Sequence, residues 1–142
     1  VRFRRLRIDA FGGLAGLDTG PDPLEDLVVV HGPNEAGKST FFHFLTSLLY
    51  GFYPASREGN PFSPWDGGTA SGEADIVLDD GTRLEVHRRL LSSPAGTVTT
   101  QGRTEELRNR TLPLAEHVPL AVFRQVFALT LDDLAALEGE SW

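Results

Sequence analysis

The sequence has no cysteine, no methionine and a single lysine among its 142 residues. Without cysteine there is neither a disulfide framework nor a thiolate metal site. Without methionine, and with Val1 first, the chain is expected to be a piece of a longer protein. No apolar run approaches the roughly 20 residues that a membrane helix needs. The best stretch, Phe41 to Phe52, is interrupted by His43, Thr46 and Ser47. A basic-then-apolar leader is missing too, because the first arginines run straight into Asp9. No membrane contact is expected, and the expected location is the cytoplasm. Apolar residues at 40% and charged residues at 23% exclude a disordered, collagen-like or coiled-coil chain, and the length suits one domain.

Positive charge is scarce as well. Thirteen basic residues against twenty acidic give a net charge of −7, which excludes a surface that grips nucleic acid indiscriminately. Twelve of the thirteen are arginine, so Lys38 is the exception. A sequence that uses arginine wherever a generic cation will do has kept one lysine for a task that a planar guanidinium performs poorly.

What is present reads in order along the chain. Arg2 to Ala10 alternates as a strand, basic at Arg2, Arg4, Arg5 and Arg7 and apolar at Phe3, Leu6 and Ile8. Glycines at 12, 13 and 16 punctuate a short second segment. A turn at Pro21-Asp22-Pro23 precedes Leu27-Val28-Val29-Val30, a β-branched run that predicts a strand buried on both faces. After a glycine-bearing loop, Phe41, Leu45, Leu48, Leu49 and Phe52 recur at helical spacing, predicting a buried helix closed by Gly51. Residues 51–72 predict a long loop whose aromatics, Tyr53, Phe62 and Trp65, serve core or lid packing or reach a base.

Ala74 to Leu78 and Thr82 to Arg89 predict a hairpin. A three-residue Asp79-Asp80-Gly81 loop pairs Ile76 with Leu84 and Ala74 with Val86, whereas a two-residue turn would set Ile76 against Glu85. The longer loop is therefore expected, with Gly81 left-handed. Thr97 to Thr100 predicts a third antiparallel strand. The remainder reads as short helices: one capped by Thr104 with Glu105 and Glu106 in its first turn, one opened by Pro119, and one capped at Thr130.

Gly32-Pro33-Asn34-Glu35-Ala36-Gly37-Lys38-Ser39 fits G-x-x-x-x-G-K-[ST]. Glycines let the backbone approach closely, and the loop N–H groups with the following helix N-terminus cradle phosphates. Lys38 supplies a compact charge for the β- and γ-phosphates of ATP. The Ser39 hydroxyl suits Mg²⁺, and Thr40 suits the α-phosphate side. The nucleotide-binding set expected is thus Gly32, Pro33, Asn34, Glu35, Ala36, Gly37, Lys38, Ser39 and Thr40.

Gly-Pro-Asn-Glu-Ala-Gly-Lys-Ser-Thr, with Leu-Val-Val-Val-His before it and Phe-Leu-Thr-Ser-Leu-Leu-Tyr-Gly-Phe after it, resembles the start of the SMC-type ABC ATPases. Glu35-Ala36 is closest to the YhaN-like AAA-domain branch and its RecF-like relatives. Leu6 to Gly12, Asn60 to Trp65, Val86 to Arg89 and Phe127 to Leu134 resemble further landmarks of that branch. The resemblance implies an α/β P-loop NTPase, the N-terminal lobe of an ABC-type head with an antiparallel β-subdomain. Residues 1–50 would hold strands, phosphate loop and helix; 51–72 the loop; 73–100 the β-subdomain; 101–142 a helical segment. It further implies ATP hydrolysis with Mg²⁺ between two paired heads, in DNA double-strand-break repair or DNA processing, with a metallophosphoesterase-type nuclease and DNA as partners. Walker B, the signature motif and the coiled coil would lie outside residues 1–142.

Two stretches imitate the missing motifs. Ile76-Val77-Leu78-Asp79-Asp80 imitates Walker B but ends in a turn glycine, and Leu91-Ser92-Ser93-Pro94 imitates the signature but carries a proline that removes an N–H. No catalytic residue is therefore expected within the chain, and residues 1–142 alone are expected to be inactive. The N-terminal arginines read either as the solvated face of an edge strand or as phosphate or DNA contacts, Arg4 and Arg5 foremost. His31 reads as a packed strand end. Two rivals stand beside the ATPase: a small-molecule P-loop kinase, and a non-hydrolysing nucleotide-sensing module.

Overall fold

The structure is a computed structural model and describes residues 1–33 and 35–128. Two compact units, Val1–Leu112 and Pro113–Trp142, make up the chain.

The first unit is built on one six-stranded sheet. Its strands are β1 (Arg2–Phe11), β2 (Leu14–Asp18), β3 (Ala70–Val77), β4 (Arg83–Leu90), β5 (Pro94–Thr100) and β6 (Arg103–Glu106). Every neighbouring pair is antiparallel, in the order β2-β1-β3-β4-β5-β6. Helix α1 (Lys38–Tyr50) covers one face. Alternation along the strands sends Leu6 and Ile8, Ala74 and Ile76, and Val86 and Leu90 to the same side, where they are buried with Phe44 and Leu48 of α1. The Phe44 ring fills the space that a Cβ on Gly72 would take, so that glycine lets the helix approach the sheet. Phe11 meets Phe44 edge-on at 5.4 Å and stacks on Phe62 at 5.1 Å.

The hairpin register is the expected one. Ile76 faces Leu84 and Ala74 faces Val86, and Gly81 closes the three-residue loop at φ 85°. Three other expectations need correction. First, 103–106 is strand, not helix. Gln101 and Gly102 both have positive φ, 51° and 76°, the two-residue turn whose twist matches a hairpin, and Thr104 pairs with Thr99 instead of capping a helix. Second, β1 is not an edge strand. The Gly12-Gly13 turn folds β2 onto one side of it, and β3 pairs with the other.

Third, Leu27–Val30 forms no strand and is not buried. Leu27 is 82% and Val29 76% exposed. A β-branched run becomes a buried strand only with neighbours on both edges, and this segment pairs with none of the six strands. One backbone bond, Leu24 N–H to the Arg4 carbonyl at 2.8 Å, ties the start of this segment to β1.

In the second unit, Pro113–Ala115 forms a single 3₁₀ turn, and α2 (Leu120–Val126) opens after Pro119 as expected. The expected helix at Thr130 lies outside the described residues. No helix among the described residues is long and apolar enough to cross a membrane.

Candidate functional site

The glycine loop ends where α1 begins. Gly37 has φ 89°, and a Cβ there would lie 2.5 Å from Leu14 Cδ2, so both backbone and packing demand glycine. The first helical bond is Phe41 N–H to the Gly37 carbonyl at 2.8 Å. The amides of Lys38, Ser39 and Thr40 therefore precede the hydrogen-bonded ladder. No side chain caps this end, and the first turn holds no acidic residue. Open amides together with the positive end of the helix dipole suit an anion.

Lys38 completes that arrangement. Its Nζ donates to the carbonyls of Gly32 and Pro33, at 2.7 Å each, so the ammonium is folded over the loop itself. Ser39 and Glu35 are exposed, and Glu35 takes a left-handed conformation at φ 67°. The structure thus brings Gly32, Pro33, Glu35, Ala36, Gly37, Lys38, Ser39 and Thr40 together; Asn34 lies outside the described residues. A cleft of about 700 Å³ adjoins the loop. Its walls are mostly apolar, with Phe3, Leu6, Val28, Val30 and Phe41 among the lining residues together with Lys38.

For Mg²⁺, the donor set is thin. Ser39 offers one hydroxyl, and no cluster of three or more His, Asp or Glu side chains is found among the described residues. That fits an ion carried in on nucleotide phosphates, which needs few protein ligands. The Walker B look-alike is a hairpin tip: the Asp80 carboxylate accepts from Thr82 N–H at 2.8 Å, and Gly81 N–H donates to the Leu78 carbonyl at 2.9 Å. His31, expected as a packed strand end, is exposed, because the strand it would finish is absent.

The N-terminal arginines are engaged with acids. Arg5 pairs with Asp18 at 2.7 Å and, together with the Gly20 amide, lowers the Asp18 carboxyl to about 2. Arg4 donates to the Leu24 carbonyl at 2.8 Å, while Arg2 lies 3.5 Å from Asp26. Arg7 reaches Asp9 at 3.4 Å and Glu73 at 3.2 Å. Such exposed pairs contribute little individually.

One structural residue escaped the sequence reading. Arg88 is 1% exposed, on the inward register of β4 between Val86 and Leu90. Its Nε donates to the Leu48 carbonyl at 2.8 Å, Nη2 to Arg110 at 2.7 Å and Nη1 to Arg108 at 3.4 Å. Burial lowers its pKa to about 10, so it remains a cation at neutral pH, placed against the negative end of α1. Leu112 N–H takes the next carbonyl, Leu49, at 2.8 Å. The C-terminal end of α1 is thereby fastened. The alternation Leu84, Val86, Arg88, Leu90 was the available signal.

Among known proteins, a family described as AAA domain matches residues 1–139. No curated protein matches the sequence.

Proposed function

The chain belongs to the AAA domain family, and from that premise we propose that it is the ATP-binding N-terminal lobe of an SMC-like ATPase head. Domains of this family are nucleotide-binding and ATPase-like, and typically use ATP with Mg²⁺. The observation that carries the reading to this chain is the uncapped start of α1 with Lys38 folded over the glycine loop. An arriving triphosphate takes the place of the Gly32 and Pro33 carbonyls as partner of the Lys38 ammonium. The loop and helix amides would hold the phosphate oxygens, and the Ser39 hydroxyl would be the protein's ligand to Mg²⁺. Mg²⁺ supplies neutralisation of phosphate charge when bound.

In the complete protein, hydrolysis would occur between two paired heads, each completing the other's site, in DNA repair or processing with a nuclease partner. The exposed Leu27–Val30 run supports this: it has the composition of a buried parallel strand and lacks the neighbours that a second lobe would bring. Arg4 and Arg5 could meet DNA phosphates by exchanging weak surface partners. The kinase reading draws no support from 51–72, where Arg57 is the lone basic residue and donates to the Gly67 carbonyl. A coupled ATPase assay on residues 1–142 and on the full-length protein, with and without DNA, tests the proposal. The expected result is hydrolysis at buffer rate by residues 1–142 and a full-length rate that rises more than linearly with protein concentration. Robust turnover by residues 1–142 alone, abolished by Asp79→Asn or Asp80→Asn, would contradict it.

A further inference from the structure

Trp65 is 86% exposed, yet its position is tightly defined. Its backbone N–H donates to the Gly12 carbonyl at 3.3 Å, and the Gly12 backbone N–H donates to the Phe62 carbonyl at 2.7 Å. Phe62 in turn is stacked between Phe11 and His43, at 5.1 and 4.5 Å. Buried Asn60 braces the loop, accepting from Phe62 N–H and donating to the Pro54 carbonyl, each at 2.9 Å. The backbone is therefore held while the indole stays in water.

The indole lies over Gly13. A Cβ at that residue would sit 3.0 Å from Cη2 and 3.2 Å from both Cζ2 and Cζ3. Near-equal distances to three ring atoms mean that the ring meets Gly13 by its face, which leaves the opposite face open. The neighbouring residue ties this platform to the phosphate loop. A Cβ on Gly12 would lie 3.0 Å from Thr40 Cγ2, in the first turn of α1. Gly13 follows one Cα step of ~3.8 Å later. The open aromatic face thus stands on the Gly12-Gly13 side of Thr40, next to the first turn of α1.

We infer that Trp65 is the platform on which the base of a bound nucleotide stacks, a binding residue that gives the site affinity for nucleoside triphosphates over bare polyphosphate. Stacking suits a fixed aromatic, because the side chain is already placed and little ordering remains to oppose binding. Gly13 serves the platform by leaving room beneath the ring. The inference rests on the phosphate-loop reading, and its test must separate the two.

Trp65 and Trp142 are the two tryptophans, so Trp142→Phe makes Trp65 the sole indole reporter. In that background Mg·ATP should quench the emission saturably, whereas inorganic tripolyphosphate with Mg²⁺ should bind without comparable quenching. Trp65→Ala should weaken Mg·ATP about tenfold, within the range of a lost base stack, and leave tripolyphosphate within twofold. Trp65→Phe should recover most of the ATP affinity. Unchanged ATP affinity in Trp65→Ala, with no quenching in the parent, would overturn the platform while tripolyphosphate binding left the phosphate loop standing. Failure of the parent to bind either ligand would overturn both readings.

Discussion

Replacing Arg88 by methionine should destabilise the first unit by about 3 kcal/mol, chiefly because a buried carbonyl is orphaned. Methionine keeps much of the apolar stem, so the loss is chemical more than volumetric. Leu48 is fully buried, and its carbonyl takes the 2.8 Å bond from Nε. Leaving such an acceptor unpaired costs about 1–3 kcal/mol. The Arg110 carbonyl, at 2.7 Å, loses a charge-assisted bond, but it is only partly buried and can turn to water. The 3.4 Å contact to Arg108 adds little. Losing a cation at the C-terminal end of α1 removes up to about 2 kcal/mol more, while release from desolvating the guanidinium works the other way. The assay is urea unfolding followed by circular dichroism, with a thermal melt expected to fall by about 10 °C. Arg89→Met, at the exposed neighbouring position, should change stability by less than about 0.5 kcal/mol. A loss below about 1 kcal/mol for Arg88→Met would refute the view that this arginine fastens the helix.

Other outcomes follow from the same structure. Gly37→Ala should lower Mg·ATP affinity by more than about tenfold in calorimetry, since the loop must distort to relieve the Leu14 contact and the left-handed φ. Replacing Arg2, Arg4, Arg5 and Arg7 together by glutamine should leave ATP affinity within about threefold, because their partners are surface acids. A tenfold loss would assign them to phosphate instead. An NMR titration of Asp18 should show a midpoint of about 2, returning towards 3.8 in Arg5→Gln. Because the folded value is depressed, the stability this pair supplies is complete above 3.8 and disappears as the pH falls through about 2.

The parts legible in the sequence are those whose chemistry is local. The turn into α1 could be read because each constrained residue acts on its own backbone: Gly37 takes the positive φ, and the helix begins at Lys38. The β3–β4 register followed from like-with-like pairing across a single turn. Where neighbours distant in sequence decide, reading failed. Leu27–Val30 has strand composition, but a strand exists only when something pairs with it. Thr104-Glu105-Glu106 satisfies a capping pattern, yet Gln101-Gly102 had already committed the chain to a hairpin. Arg88 lies inward because three carbonyls distant from it in sequence, those of Leu48, Arg108 and Arg110, take their donors there. Trp65, expected to pack or to reach a base, is fixed by its backbone and open on its ring face.

Lys38→Ala tests the central claim most directly, because the chain has no other lysine to substitute for it. Calorimetric titration of Mg·ATP into the parent chain should give weak, saturable binding, and the variant should show none while retaining the parent's circular dichroism spectrum and melting temperature. Equal affinity in the two folded proteins would contradict the assignment of the phosphate site to Lys38.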